Sequence, residues 1–247
     1  MKIIIVRHGD PDYQHDCLTG RGRREAELAA ERLCRIPVKN YYVSPLGRAR
    51  ETAQYTLDRV GRSAEVMEWL HEFGPLTLRP DLDGRRTICW DWYPADWTKY
   101  PEAYSIDTWT EIPCFRDNHI KELAGKVCES LDALLAEHGY VRDGRIYRAE
   151  RPNHDTIAFV CHFGIECILL GHLTGISPML LWHGFCCAPT GVTSMVTEER
   201  QQGIANFRIG EFGSTAHLLL GGQEVSRRAR YVECFGDDPA GFEKDPE

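Results

Sequence analysis

The sequence predicts an α/β fold: a three-layer sandwich in which helices flank a mostly parallel central sheet. Three observations carry this. Ile3-Ile4-Ile5-Val6 is a continuous apolar run with no alternation, which is how a strand buried on both faces reads. Thr156-Ile157-Ala158-Phe159-Val160-Cys161 is a second such run. Amphipathic helical segments alternate with short apolar strands, the order expected of a layered α/β chain.

Each element has its own signal. Gly22 to Arg35 places Ala26, Ala29, Ala30 and Leu33 on one stripe, with arginines and glutamates on the other face, and predicts a helix. Asn40 to Val43 is a short strand. Ser44-Pro45 then predicts a helix to about Asp58, with Ser44 as cap and proline in the first turn. Ala64 to Met67 is a third short strand. Residues 74–115 break the pattern. Five prolines and Trp90, Trp92, Trp97 and Trp109 leave no sustained period there, yet the segment is too aromatic for a disordered linker. It reads as an ordered cap or insertion with a few short helices, serving as a lid or as structural cover.

Asp117 to His138 carries the stripe Ile120, Ala124, Val127, Leu131, Leu134 and Leu135 and is the strongest helical pattern, stopped at Gly139. Asp143-Gly144 predicts a turn between two short strands. Ile165 to Leu173 is an apolar helix. Val192 to Thr197 and Gly203 to Ile209 are neighbouring strands, and Thr215 to Leu219 ends the ordered fold. The tail after Tyr231 is acidic and reads as loose. One domain over residues 1–247, with the insertion at about 75–115, is the expected organisation.

Composition narrows the function. The net charge of -8 argues against a general nucleic-acid surface. No apolar run reaches membrane-spanning length, and Ile3 to Val6 is too short for a signal-peptide core. The ten cysteines form no CxxC pair and mostly sit in apolar surroundings, so they are expected to be reduced, in a cytosolic protein.

The chemistry-bearing residues sit where the strands end. Arg7-His8-Gly9 follows the first apolar run, at the carboxyl end where open α/β sheets place ligands. A guanidinium fork matches phosphate oxygens, glycine admits close backbone approach, and a neutral imidazole is a nucleophile toward phosphorus. Arg48 lies in the first turn of the second helix, where dipole and guanidinium both favour an anion. His162 follows the second buried strand. Two histidines at neighbouring strand ends could hold a metal with Asp10, Asp12 or Glu72, or flank one phosphoryl group. The absence of compact ligand spacing and the two arginines favour the anion. Glu72, among Trp69, Leu70 and Phe73, has the apolar surroundings that raise a carboxyl pKa and suit a general acid; His71 and Glu68 are alternatives.

Taken together, these motifs resemble the histidine phosphatase superfamily, the phosphoglycerate-mutase-like proteins. Arg7-His8-Gly9 is similar to the family's opening run. Leu18-Thr19-Gly20-Arg21-Gly22 with Glu25-Ala26, then Ser44-Pro45, Arg48-Ala49 and Thr52-Ala53, are similar to its next two elements. Leu70-His71-Glu72-Phe73-Gly74 resembles the segment bearing its acid, and Cys161-His162-Phe163-Gly164 its second histidine motif. The resemblance implies a phosphoglycerate-mutase-like fold, no cofactor and no metal. It makes His8 the nucleophile that forms a phosphohistidine. It places Arg7, Arg48 and His162 around the phosphoryl oxygens and makes Glu72 the acid, then the base. Thr19 or Gln14, Ser194 and the backbone amide of Gly164 are candidates to complete the pocket.

The expected ligand is a small phosphomonoester. Hydrolysis is favoured over mutase-type phosphotransfer, because the tryptophan-rich insertion does not read as a mutase lid and no long basic tail follows. A non-catalytic phosphate-binding module is the third reading. The substrate's organic part and the oligomeric state stay open.

Overall fold

The computed structural model describes residues 1–227 together with 230, 231 and 234. In chain order the elements are β1 (Lys2–Arg7), β2 (Pro11–Asp12), β3 (Cys17–Leu18), α1 (Gly20–Leu33), β4 (Asn40–Val43), α2 (Gly47–Val60) and β5 (Glu65–Val66). A hairpin follows, β6 (Leu76–Arg79) and β7 (Arg85–Ile88), then the short helices α3 (Pro94–Trp97) and α4 (Pro113–Arg116). The chain continues through α5 (Ile120–Glu137), β8 (Tyr140–Asp143), β9 (Ile146–Ala149), β10 (Thr156–Cys161), α6 (Phe163–Thr174) and α7 (Pro178–Gly184). It closes with β11 (Val192–Gln201), β12 (Ile204–Ser214) and α8 (Ala216–Leu220).

Eight strands form the central sheet in the order β5-β4-β10-β1-β11-β12-β9-β8. The four from β5 to β1 are parallel, and the other half is joined by antiparallel pairing. The sheet is therefore mixed rather than mostly parallel in its pairing. The physical reason lies in the connections: β8–β9 and β11–β12 are joined by tight turns, which only antiparallel neighbours allow.

The two apolar runs are buried on both faces. Ile3, Ile5, Ile157 and Phe159 pack on the side of α5 and α6, with Leu131, Leu135 and Ile168. Ile4, Val6, Ala158 and Val160 pack on the other side, with Ala29, Leu33, Ala53 and Leu57 of α1 and α2. Strict alternation along each strand feeds both cores, which makes the three layers. The insertion joins the first of these cores: Cys89, Trp92, Trp109, Ile112 and Phe115 are buried within it, beside Trp182 of α7. Its backbone includes the β6–β7 hairpin, which the irregular sequence did not announce.

Boundaries follow the sequence closely in α5, β4, β10 and the β8–β9 turn. The second helix differs at its start. Its N-cap is Leu46, with no side-chain cap, and Ser44 stands ahead of the helix with its hydroxyl directed elsewhere. Residues after Tyr231, expected to be loose, lie outside the described residues apart from Cys234. Among the described residues no helix is long and apolar enough to cross a membrane.

Candidate active site

The carboxyl ends of the four parallel strands converge. β1 and β10 are in register with Arg7 beside Cys161, and the next backbone step bonds His8 N–H to the Cys161 carbonyl at 2.9 Å. The two histidines that end these strands are thereby neighbours, their ring centres 5.0 Å apart. β4 leads into Ser44 and Arg48, and β5 leads through a short 3-10 turn to Glu72. Residues far apart in sequence meet because adjacent parallel strands all deliver their ends to one edge.

His8 is nearly fully buried and held by its backbone on both sides, since its carbonyl also accepts the Thr190 N–H at 3.1 Å. Its Nδ1 lies 2.7 Å from the Gly9 carbonyl oxygen. A carbonyl only accepts, so Nδ1 carries the hydrogen and Nε2 keeps its lone pair. Burial, and then the charges of Arg7 and Arg48, hold the His8 pKa well below the ordinary histidine value; the Gly9 bond opposes them. The ring is therefore neutral at pH 7, with the Nε2 lone pair available.

His162 is fully buried at the N-cap of α6, and its Nε2 is 2.7 Å from the Ser44 hydroxyl. Burial first, then His8 and Arg48, push its pKa down. Ser44 Oγ also accepts the Leu46 N–H at 3.3 Å; with the hydroxyl hydrogen directed to His162 Nε2, the ring's own hydrogen sits on Nδ1.

Arg7 donates through Nη1 to the Cys187 carbonyl and lies 5.9 Å from the Phe163 ring centre. Arg48 donates to Asp16 at 2.6 Å, and the other oxygen of Asp16 accepts the Gly47 N–H at 2.6 Å. Tyr13 stacks on the Arg48 guanidinium at 5.3 Å. The β2–β3 loop thus fixes Arg48 from outside. Beneath it, Thr52 accepts the Gly9 N–H at 3.0 Å and donates to the Arg48 carbonyl at 2.7 Å.

Among the described residues six buried side-chain polar atoms lack a hydrogen-bond partner, and three of them are Arg7 Nε, Arg48 Nε and His162 Nδ1. Buried donors are normally satisfied, so three orphans in one site call for a ligand rich in acceptors. A divalent cation would find donors where it needs acceptors. Among the described residues no three His, Cys, Asp or Glu side chains gather as a metal group.

Glu72 lies within reach of the Arg7 charge. Its Oε1 accepts the N–H of Phe73 at 2.8 Å and of Ile165 at 3.0 Å. Burial raises its pKa, opposed chiefly by the Arg7 charge and by backbone N–H groups that include Gly164. A carboxyl held upward in this way keeps its proton nearer to neutrality than an ordinary glutamate.

The four completing candidates are placed differently from the sequence expectation, Gln14 among them, which is exposed in the β2–β3 loop with its N–H on Asp12 at 3.0 Å. Thr19 caps α1, accepting the Gly22 N–H at 3.0 Å and donating to Asp10 at 2.8 Å. The Gly164 amide faces Glu72 rather than the space beside His8. Ser194 pairs with Ile4 in the sheet, four residues back from His8, or about 13 Å along a strand. It is therefore corrected to a sheet position outside the site. Its neighbour Thr193 points to the other face and donates to Glu166, a fully buried carboxyl on α6. Asp16, Trp90 and Glu166 are the residues that sequence reasoning missed. Asp16 and Trp90 sit in irregular segments with no spacing that marks them, whereas Glu166 stands as a lone carboxyl in the apolar helix read over Ile165 to Leu173, which was the signal available.

The chain matches the model of the histidine phosphatase superfamily (branch 1) over residues 3–209. It is 38% identical over 85 residues to the 2,3-bisphosphoglycerate-dependent phosphoglycerate mutase of Thermoplasma acidophilum, covering 30% of this chain and 42% of that protein. It is 34% identical over 91 residues to the mitochondrial serine/threonine-protein phosphatase Pgam5 of Drosophila melanogaster, covering 32% and 31%. These alignments span less than half the length of either curated relative. Among solved structures, the phosphoserine phosphatase of Entamoeba histolytica superposes with a TM-score of 0.57 at 20% identity, over 88% of this chain and 98% of that one. A mycobacterial glucosyl-3-phosphoglycerate phosphatase superposes at 0.55 and 17% identity, over 86% and 98%. The family match takes in every side chain gathered at the strand ends, and the chain belongs to the histidine phosphatase superfamily.

Proposed function

We propose that this protein is a metal-independent phosphomonoesterase that works through a phosphohistidine at His8. The observation that carries the reading is the set of orphaned buried donors, Arg7 Nε, Arg48 Nε and His162 Nδ1, around a neutral histidine whose Nε2 is unprotonated. A phosphoryl group supplies the acceptors those donors lack, and its charge is stabilised where it accumulates in transfer.

In the first step the Nε2 lone pair of His8 attacks phosphorus. The P–O bond to the leaving group breaks, and its oxygen takes the proton of Glu72. In the second step Glu72, now a carboxylate, accepts a proton from water as the water oxygen attacks phosphorus. The N–P bond breaks, and phosphate and neutral His8 are released. Splitting the displacement in two replaces one hard step by two easier ones. The printed names of the similar structures, which include phosphoserine and glucosyl-3-phosphoglycerate phosphatases, support a small phosphomonoester as substrate. The similarity to a phosphoglycerate mutase keeps phosphotransfer between metabolites as the second reading.

Rapid quenching during turnover of a phosphorylated substrate should trap acid-labile, base-stable phosphate on the protein. His8→Asn should abolish both label and turnover. A fully active His8→Asn protein would overturn the assignment. Label that transfers to a second substrate hydroxyl instead of water would favour the mutase reading.

A further inference from the structure

Trp90 is the insertion's hydrogen-bond link toward the acid of the site, and Cys89 beside it, buried, lies within reach of the Glu72 charge. Trp90 Nε1 donates to the Phe73 carbonyl at 2.7 Å, and the N–H of that same residue, Phe73, donates to Glu72 Oε1 at 2.8 Å. Phe73 is thus gripped at both ends of its backbone, by the indole and by the carboxyl. Gly164 shows how tightly the three pack. A methyl group there would lie 2.6 Å from Glu72 Oε1, 2.7 Å from Trp90 Nε1 and 2.8 Å from the Phe73 oxygen. The Trp90 ring also meets Phe163 edge-on at 5.9 Å.

Trp90 is itself held from within the insertion. Its carbonyl accepts from Arg79 Nη1 at 2.8 Å. Arg79 is paired with Asp81 through both carboxylate oxygens, at 3.0 and 2.5 Å, and both side chains are nearly fully buried. Asp81 also accepts the Tyr93 N–H at 2.9 Å, which closes the loop that carries Trp90. Two parallel guanidinium–carboxylate bonds fix the relative placement of Arg79 and Asp81 more tightly than one would.

We propose that Trp90 is a positioning residue for Glu72: the insertion, through the Asp81–Arg79–Trp90 chain, orients the acid and walls it off from water. This assigns the tryptophan-rich segment a part in the chemistry, beyond cover or lid. It rests on the reading of Glu72 as the proton donor to the leaving group. A donor matters most when the leaving oxygen is strongly basic, so Trp90 should matter for alkyl phosphates and little for activated aryl phosphates.

The test measures kcat/KM of the full chain for glycerol 2-phosphate and for p-nitrophenyl phosphate, across pH, in Trp90→Phe, Trp90→Ala and Glu72→Gln. Trp90→Phe keeps the ring in the core and removes only the N–H, so it guards against a mere folding defect. The alkyl-to-aryl ratio should fall by about tenfold in Trp90→Phe and further in Trp90→Ala, a fraction of what a general acid contributes. Water admitted in Trp90→Ala should also move the alkaline limb of the alkyl profile to lower pH, as the Glu72 carboxyl becomes easier to ionise. An unchanged ratio and limb in both Trp90 variants, while Glu72→Gln lowers the ratio, would overturn the positioning role alone. A Glu72→Gln protein with equal loss on both substrates would instead overturn the acid assignment, and the role of Trp90 with it.

Discussion

Gly22→Ala offers a test in which two physical rules predict opposite signs. Gly22 is the third residue of α1, and alanine in a helix is favoured over glycine by about 1 kcal/mol. The tertiary contact opposes this. A Cβ at Gly22 would lie 2.2 Å from the Asp10 carbonyl oxygen, 2.9 Å from its nitrogen and 3.0 Å from its carbonyl carbon. All three are backbone atoms, so no flexible side chain can swing away. Asp10 is also pinned, its N–H on Glu25 at 2.9 Å and its carbonyl accepting the Thr19 N–H at 3.0 Å. Relief needs a displacement of about 1 Å, and overpacking of this kind costs about 3 kcal/mol. Set against the helix gain, the net loss is about 2 kcal/mol, which lowers Tm by about 4–8 °C for a chain of this size.

The strained segment is two residues from His8, and a 1 Å misplacement of a catalytic group costs about 10²-fold in kcat/KM. Thermal melting and phosphatase kinetics of Gly22→Ala are compared with Gly20→Ala, where a Cβ meets nothing within 4 Å. Gly20→Ala should be neutral or slightly stabilising. A Gly22→Ala protein that melts at or above the parent with unchanged turnover would refute the reasoning.

Other expectations follow from the same geometry. Asp16→Ala releases Arg48 and the Gly47 N–H together, so kcat/KM should fall about tenfold, the worth of one charge-assisted bond, and inhibition by free phosphate should weaken; equal phosphate affinity in both proteins counts against the role of Asp16. Glu166, pushed up to about 7 by burial, is raised above its unfolded value, so its contribution to stability is complete below pH 4.5 and is lost as pH rises through about 7. The parent's Tm should therefore fall between about pH 4.5 and 7 and level off above, and Glu166→Gln should flatten that slope; parallel slopes would exclude Glu166 as its source. Because the His8 pKa is held well below the ordinary value, the acid limb of kcat/KM should lie below pH 6.5. Removing one of the charges that depress it, in Arg48→Gln, should move that limb upward.

How much of this was legible in the residues differs from element to element. β4 and β10 could be read to the residue, because an apolar run bounded by polar residues has one low-energy placement in a layered fold. The stripe of α5 was equally plain. Arg7, His8, Arg48 and His162 could be singled out because each stands beside a strand end or helix start that the pattern already marks, and Glu72 by its apolar neighbours; the fold brings all five to one edge of the sheet. The hairpin β6–β7 escaped because β6 inverts the usual rule, exposing Leu76 and Leu78 while burying Thr77 and Arg79, and β7 opens on two exposed arginines. Ser44 was read as a cap because Ser-Pro favours one; the histidine 118 residues later claims its hydroxyl instead.

The sequence by itself determined the α/β class, the two doubly buried strands and the types of side chain at their ends, because periodicity and local propensity are properties of neighbours along the chain. Only the tertiary structure decided which hydroxyls and amides serve the site. Thr19 and Gly164 are taken up by a helix cap and by Glu72, Ser194 lies far down the sheet, and Asp16 and Trp90 come in from loops. Those assignments depend on strand order and on contacts between segments remote in sequence, and a linear pattern carries no record of which remote group will arrive to satisfy a buried polar atom.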